Sequence, residues 1–259
     1  MRILFIADVV GTPGRKALEE RLVSLRDELA VDFCVVNGEN VADGVGITPK
    51  LAEKLLAYGA DVITLGNHVW RRIEIVPYLS GDGRVIRPAN LAKAAPGHGL
   101  VVAPSRDGTP VAVINVMGSL FLDPLVSMWE LIDELVAEAQ RQTGVIFVDL
   151  HAEATSEKVA LARWLDGKVT AVIGTHTHIQ TNDARVLPGG TAALSDAGMT
   201  GPHDSVIGVR ADLAIKRMRT GLPVRFETAA GDVRIEGALV DCDENGRATA
   251  CESVRVSVG

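Results

Sequence analysis

The 259-residue chain begins with a short apolar run that ends in a carboxylate, ILFIAD at residues 3–8. An apolar run of this length predicts a buried strand, and leucines at helical spacing over 13–29 predict a helix after it. Further strands are predicted at 33–36, 62–65, 111–116, 145–150 and 171–173. Helices are predicted from Pro49, over 129–141 and over 156–165. This alternation of strands and helices predicts an α/β fold.

Hydrophobic residues make up 47% of the chain and aromatic residues only 4%, so the core must consist mainly of Val, Ile, Leu and Ala. That composition is typical of buried strands in a largely parallel sheet. After about residue 220 the pattern changes to alternating strands joined by turns, which predicts antiparallel pairing. This final segment, from about residue 221, is too short to hold a core of its own. We therefore predict one domain over 1–259, a layered α/β sandwich with mixed β-sheets.

Charge and apolar patterning narrow the class of protein. The formal net charge is −7 with no basic stripe, so duplex nucleic acid is not an expected partner. The first apolar run stops at Asp8, and no run approaches the length of a membrane span. Cys34, Cys242 and Cys251 lack the spacing of a metal site, which favours reduced thiols in the cytoplasm. The sequence leaves the formation of a homo-oligomer undecided, because the apolar LFL at 120–122 would suit a lid or a subunit contact.

Polar side chains follow five of the predicted strands, at the point where each strand ends. They are Asp8, Glu39, Asn40, Asn67, His68, His151, His176 and His178. Any one of them would pass as a cap or turn residue. In an open α/β sheet, however, ligands bind at the carboxyl ends of the strands. The joint pattern therefore predicts a site at one edge of the sheet.

The run GTHTH at 174–178 is the most informative part of this pattern. Two imidazoles, two positions apart and directly after a strand, are hard to explain as packing. Imidazole nitrogens together with carboxylate and amide oxygens suit zinc, manganese or iron better than calcium or magnesium. The sequence therefore predicts a transition-metal centre.

As a set, these residues resemble the calcineurin-like metallophosphoesterase superfamily. That pattern has an Asp after the first strand, an acidic residue after the second, Gly-Asn-His after the third, a later His and a final Gly-(His)-x-His. Here the corresponding residues are Asp8, Glu39, GNH at 66–68, His151 and GTHTH at 174–178. Two departures stand out: Val10 occupies the place of a usual metal-binding His, and Glu39 that of a usual Asp. Both changes, with IADVVG at 6–11 and DLHAEAT at 149–155, resemble the YmdB-like bacterial branch.

The resemblance implies hydrolysis of a small phosphodiester, a cyclic nucleotide, with the 2′,3′-cyclic kind favoured. It implies two divalent or trivalent transition-metal ions, with iron or manganese favoured and zinc as an alternative. A hydroxide between the metals would attack the phosphorus, and His68 would protonate the leaving oxygen as general acid. Glu39 would bridge both metals, and Asn40 would replace the missing family histidine. The remaining ligands would be Asp8 and His178 at one metal, and Asn67, His151 and His176 at the other.

Two other functions compete with this one. An amidohydrolase-type (β/α)₈ barrel also uses a His-x-His pair, although there the pair usually follows the first strand. A metal-binding regulatory protein would keep the metal cage but show little turnover. Weaker candidates for the site are Arg71 and Arg72 as phosphate contacts and His203 in a glycine-rich loop. His98, between two glycines, is expected to be a turn residue.

Overall fold

The computed structural model describes residues 1–81 and 83–258, and its strands and helices follow in chain order. The strands are β1 (Arg2–Ile6), β2 (Phe33–Asn37), β3 (Val62–Thr64), β4 (Val85–Ile86), β5 (Leu100–Pro104), β6 (Pro110–Met117), β7 (Ile146–His151), β8 (Ala171–Thr175), β9 (Arg185–Val186), β10 (Ala192–Leu194), β11 (Gly201–Pro202), β12 (Val233–Cys242) and β13 (Ala248–Ser257). The helices are α1 (Gly11–Glu28), α2 (Pro49–Ala57), α3 (Ile75–Leu79), α4 (Ile132–Gln140), α5 (Thr155–Trp164) and α6 (Ala211–Thr220).

Within these residues the strands form two mixed sheets. The first has seven strands in the order β11-β12-β1-β2-β3-β4, with β13 also paired to β12. The second has six strands in the order β5-β6-β7-β8-β10-β9. Strands β1 to β4 are parallel to one another, as are β6, β7, β8 and β10. The fold is the predicted layered α/β sandwich with mixed sheets.

The apolar run at 3–6 shows why the two sheets stack. Successive side chains of a strand point to opposite faces. Ile3 and Phe5 therefore lie in the core between the sheets, whereas Leu4 and Ile6 lie in the core beneath the helices. Phe5 meets Phe147 of β7 across the sandwich, with their ring centroids 5.2 Å apart. A strand buried on both faces requires the unbroken apolar run seen in the sequence.

Helices cover the outer face of each sheet and complete four layers. Leucines of α1 and α2, such as Leu22 and Leu55, pack on the outer face of the first sheet. Ile132 of α4 and Leu161 of α5 pack on the outer face of the second. Each sheet is thus covered by helices on one face and by the other sheet on the opposite face. The polar side chains at the strand ends therefore meet at the edge of the sandwich.

Several predicted elements differ from the structure in detail. The helix predicted from residue 129 starts only at Ile132, because Met128–Glu130 forms a separate 3₁₀ turn that buries Met128. The predicted antiparallel tail corresponds to β12 and β13, which extend the first sheet beside β1. Helix α6 was not predicted. The barrel alternative is wrong, since the described strands form two stacked sheets. Among the described helices, none is long and apolar enough to cross a membrane.

Candidate metal centre

The carboxyl ends of β1, β2, β3, β7 and β8 bring the predicted site residues to one edge of the sandwich. One group gathers around the Nε2 atom of His151, which is fully buried at the end of β7. This nitrogen lies 2.9 Å from Oδ1 of Asn67 and 3.1 Å from Nδ1 of His176. It also lies 3.4 Å from Oε1 of Glu39. Glu39, His151 and His176 each offer one ligand atom, and these atoms lie within 4.8 Å of one another.

A second group gathers around the Nε2 atom of His178. That nitrogen lies 3.1 Å from Nδ2 of Asn40 and 3.8 Å from Oδ2 of Asp8. Nδ2 of Asn40 also donates to Oε1 of Glu39, at 3.1 Å. Glu39 therefore touches both groups, and the seven predicted ligands fall into two sets that share one carboxylate.

The predicted general acid, His68, lies against the same cluster. Its Nδ1 is 2.7 Å from Oδ1 of Asn40 and 3.2 Å from Oε1 of Glu39. Its backbone N–H donates to the other oxygen of Glu39, at 3.1 Å. A quarter of the side chain is exposed, so the ring connects the buried carboxylate with the open side of the site.

The three clustered imidazoles are held in a form that suits metal binding. In each ring one nitrogen faces an acceptor outside the cluster, and the other faces the cluster. The outward partners are the Thr175 hydroxyl for His151, the Glu153 carboxylate for His176 and the Ile207 carbonyl for His178. A histidine ligand characteristically donates its second N–H in this way, which leaves the inward nitrogen free to coordinate.

Two further features concern the close packing at the cluster and its charge. Gly66 lies against the cluster, where a Cβ atom would come within 2.2 Å of Oε2 of Glu39 and 2.4 Å of Nε2 of His151. Oδ1 of Asp8 is buried and accepts no hydrogen bond from the described residues. A buried carboxylate oxygen without a donor is costly unless a cation stabilises it. The residues present therefore fit a transition-metal ion. They supply oxygen and nitrogen donors, and position 66 has no room for a side chain.

The charges of the cluster depend on one another. Burial raises the pKa of Asp8 to about 6, despite the nearby imidazoles. Burial also opposes ionisation of Glu39, but His151 and His68 outweigh it and hold that pKa well below its usual range. Burial opposes a charge on His151 as well, yet the carboxylate of Glu39 raises its pKa to about 9. Burial and the charge of His151 lower the pKa of His176 to about 3. A metal ion would take the place of the proton on His151, since coordination needs the neutral ring.

The GTHTH loop has an unusual backbone held by a buried ion pair. His176 and His178 both have positive φ, 102° and 64°, which residues other than glycine rarely adopt. Thr177, between them, donates through its N–H and its hydroxyl to Oδ2 of Asp196, at 3.1 and 2.8 Å. Nζ of Lys158 lies 2.7 Å from the same oxygen, and both side chains of this ion pair are buried. Neither Lys158 nor Asp196 was predicted, since a single charge in a helix or loop gives no local signal.

The weaker candidates have other contacts. Arg72 donates to the carbonyls of Val45 and Ala42 and so braces the loop after β2, whereas Arg71 is exposed. His203 lies 3.3 Å from the buried carboxylate of Glu236.

The two remaining features from the sequence lie at the surface. His98 is exposed, and its Nε2 lies 3.4 Å from the carbonyl oxygen of Gly83. In the predicted apolar loop, Leu120 and Phe121 are exposed but Leu122 is buried.

Sequence reasoning also missed a polar network directly behind the cluster. Asp149 is fully buried in β7 and bonds to Asn37 of β2, Thr64 of β3 and Thr175 of β8. Burial raises the pKa of this carboxyl, against the effect of its three donors. One signal was available, because an aspartate inside an otherwise apolar predicted strand must find partners when it is buried.

Two stacked mixed sheets, with carboxylate, amide and imidazole groups gathered at their common edge, define a calcineurin-like metallophosphoesterase fold. The 5′-nucleotidase precursor of Thermus thermophilus shares this fold, with a TM-score of 0.58 at 15% identity over 99% of this chain and 54% of that chain. Within this class the chain belongs to the YmdB-like family, whose model, described as YmdB-like protein, matches residues 4–254.

Two further comparisons cover nearly the whole chain. It is 47% identical over 244 residues to the 2′,3′-cyclic-nucleotide 2′-phosphodiesterase of Bacillus subtilis strain 168, covering 94% of this chain and 92% of that protein. The crystal structure of a hypothetical protein from Thermus thermophilus has a TM-score of 0.93 at 38% identity and covers 99% of both chains.

Proposed function

We propose that this protein is a dinuclear metal-dependent phosphodiesterase that hydrolyses cyclic nucleotides, with 2′,3′-cyclic nucleotides as the favoured substrates. The observation that carries the proposal is the pair of ligand sets that share Glu39. The relative that is 47% identical is named for hydrolysis of 2′,3′-cyclic nucleotides, which supports the substrate class.

The contacts support an assignment of ligands to two ions. Asp8, Asn40 and His178 would hold one ion, and Asn67, His151 and His176 would hold the other, with Glu39 between them. Asn40 presents its amide nitrogen to His178 and its oxygen to His68. Amide oxygens rather than nitrogens bind metal ions. When metal binds, the side-chain amide of Asn40 would therefore flip to present its oxygen.

The chemistry of the ions and of the side chains is complementary. When bound, two transition-metal ions would make water a nucleophile at neutral pH and offset the negative charge of the phosphodiester. Amides and neutral imidazoles add no negative charge to the carboxylates Asp8 and Glu39, so the cage leaves the site attractive to an anion. His68 would donate a proton to the departing ribose oxygen. Its position against Glu39, with part of the ring exposed, suits a group that moves protons between the site and solvent.

The remaining assignments follow from the donor set and the cysteines. Nitrogen and oxygen donors without thiolate favour iron or manganese, with zinc as an alternative. Cys34, Cys242 and Cys251 are free thiols, which favours the reducing cytoplasm. Burial raises the pKa of Cys34 to about 12, so this thiol is not a nucleophile at neutral pH. The substrate partner would be a small phosphodiester.

A substitution at Asn40 tests the departure from the family pattern. If Asn40 supplies the ligand that Val10 cannot, Asn40→Ala should weaken the site of Asp8 and His178 and leave the other occupied. The loss of affinity should be at least the roughly 10–100-fold that follows removal of an outer hydrogen-bond partner. Metal content by elemental analysis checks this, with Asn40→Asp as the control that keeps an oxygen ligand. An Asn40 side chain turned away from both ions in a metal-loaded crystal would remove it from the site.

The proposed activity is tested by a substrate panel with manganese-loaded enzyme. It contains 2′,3′- and 3′,5′-cyclic nucleotides, a linear diester, a monoester and an aryl amide. We expect hydrolysis of the diesters, fastest for the 2′,3′-cyclic nucleotides, and its loss on chelation. Tight metal binding without turnover would favour the regulatory protein instead, and cleavage of monoesters alone would contradict diester specificity.

A further inference from the structure

A chain of hydrogen bonds runs from the proposed ligand His151 into the middle of the sandwich. Nδ1 of His151 lies 3.0 Å from the hydroxyl oxygen of Thr175, the last residue of β8. That hydroxyl lies 2.7 Å from Oδ1 of Asp149, two residues before His151 on β7. All three side chains are fully buried, so water does not compete for these bonds.

The surroundings of Asp149 set the direction of this chain. Oδ2 of Asp149 accepts from Nδ2 of Asn37, at 3.1 Å, and from the hydroxyl of Thr64. The orientation of Asn37 follows from its own oxygen, which accepts the N–H of Glu39 at 3.2 Å. Asn37 and Thr64 donate to Oδ2, and the hydroxyl of Thr175 donates the third hydrogen bond, to Oδ1.

A hydroxyl has one proton, and this fact fixes the state of the histidine. Since Thr175 donates to Asp149, its oxygen can only accept from His151, which must then carry a proton on Nδ1. In the neutral ring that metal binding requires, the lone pair is then on Nε2, which faces Asn67, His176 and Glu39. We infer that Asp149 and Thr175 are positioning residues that hold His151 in its Nδ1–H form and so present Nε2 to a metal ion. The inference rests on the proposed metal-binding role of His151.

Asp149→Asn provides the sharpest test, because it should reverse the chain. Two donors face the Oδ2 position, so the oxygen of the new amide stays there and its NH₂ group faces Thr175. Thr175 then accepts from this NH₂ group and turns its own proton toward Nδ1 of His151. The ring is driven to carry its proton on Nε2, where the metal should bind. In the serine proteases, an aspartate-to-asparagine change holds the catalytic histidine in the wrong tautomer and so disables it.

A set of threonine variants separates this role from a structural one. Thr175→Val removes the hydroxyl but keeps the shape, whereas Thr175→Ser keeps the hydroxyl. Thr170→Val is the matched control, since it removes another buried hydroxyl, which accepts the N–H of Ile146 at 3.0 Å. Thermal unfolding of the metal-free proteins identifies any variant that fails to fold, and the serine–valine pair at Thr175 keeps the test available if Asp149→Asn does not fold.

The measurements are Zn²⁺ affinity, by competition with a chelator, and ¹⁵N NMR of labelled histidine in the zinc-loaded protein. We expect Thr175→Val to lose roughly 10–100-fold in affinity, as for other outer partners of histidine ligands. Asp149→Asn should lose more, while Thr175→Ser and Thr170→Val bind zinc as the original protein does. The Nδ1 proton of His151 should exchange slowly with solvent in the original protein and faster in Thr175→Val.

Unchanged zinc affinity in both Thr175→Val and Asp149→Asn would overturn the inference, as would a His151 Nδ1 without a proton in the zinc-loaded protein. These readouts do not involve hydrolysis. Failure of the substrate panel therefore leaves this inference standing, and failure here leaves the proposed activity standing if His151 still binds metal.

Discussion

Glu39→Gln should empty both metal sites together and abolish hydrolysis. Glu39 is fully buried, and one of its oxygens lies 3.1 Å from Asn40 and 3.4 Å from His151, at the junction of the two ligand sets. A glutamine keeps the size of the side chain but removes the charge that both ions would share. Loss of the ions removes several kcal/mol of transition-state stabilisation, so activity should fall by about 10³-fold or more.

Metal content and turnover with a 2′,3′-cyclic nucleotide are the two readouts for this variant. Glu53→Gln, an exposed position on α2, is the matched control and should retain both. Thermal unfolding after chelation shows whether the variant folds like the original protein. Loss of one ion only would make Glu39 a ligand of a single site, and full metal content with full turnover would remove it from the centre.

His68→Ala should keep the metals and lose turnover. A general acid protonates the leaving group and is worth roughly 10²–10⁴ in rate. The penalty should therefore be large for a cyclic nucleotide, whose ribose oxygen cannot leave without a proton. It should be smaller for a p-nitrophenyl diester, because p-nitrophenolate leaves readily as an anion.

The contacts of His68 make this a discriminating experiment. Its Nδ1 lies within 3.2 Å of Glu39 and 2.7 Å of Asn40, so the ring is also close enough to act as a ligand. Loss of metal together with activity would assign it that role. Equal losses on both substrates with full metal content would indicate that His68 positions the phosphate. His98→Ala, at an exposed position, is the control and should change neither quantity.

The local sequence pattern predicted the central strands and the polar residues at their ends. A strand that is buried on both faces is an unbroken apolar run, so the first polar residue after the run marks its end. The same reasoning missed elements with little local signal. Helix α6 buries only Ala214 and leaves Ile215 and Met218 exposed, so little of it belongs to the hydrophobic core. Strand β10 reads AAL, which suits a helix as well as a strand.

Pairings between distant parts of the chain could not be predicted at all. Strand β12 lies antiparallel to β1, with Leu239 opposite Leu4, and nothing near either residue specifies that partner. The network around Asp149 depends on such pairings, since its donors come from three other strands in two sheets. The candidate site residues could thus be predicted from the strand ends. The groups that hydrogen-bond to them could be identified only in the folded chain.

Anomalous diffraction from manganese-loaded crystals, recorded at the manganese edge, tests whether two metal ions bind on either side of Glu39. We expect two peaks about 3.5–4 Å apart, one on each side of Glu39. One peak should be bonded to Asp8 and His178, and the other to His151 and His176. A single peak, or a pair of peaks away from Glu39, would contradict a dinuclear centre at this edge of the sandwich.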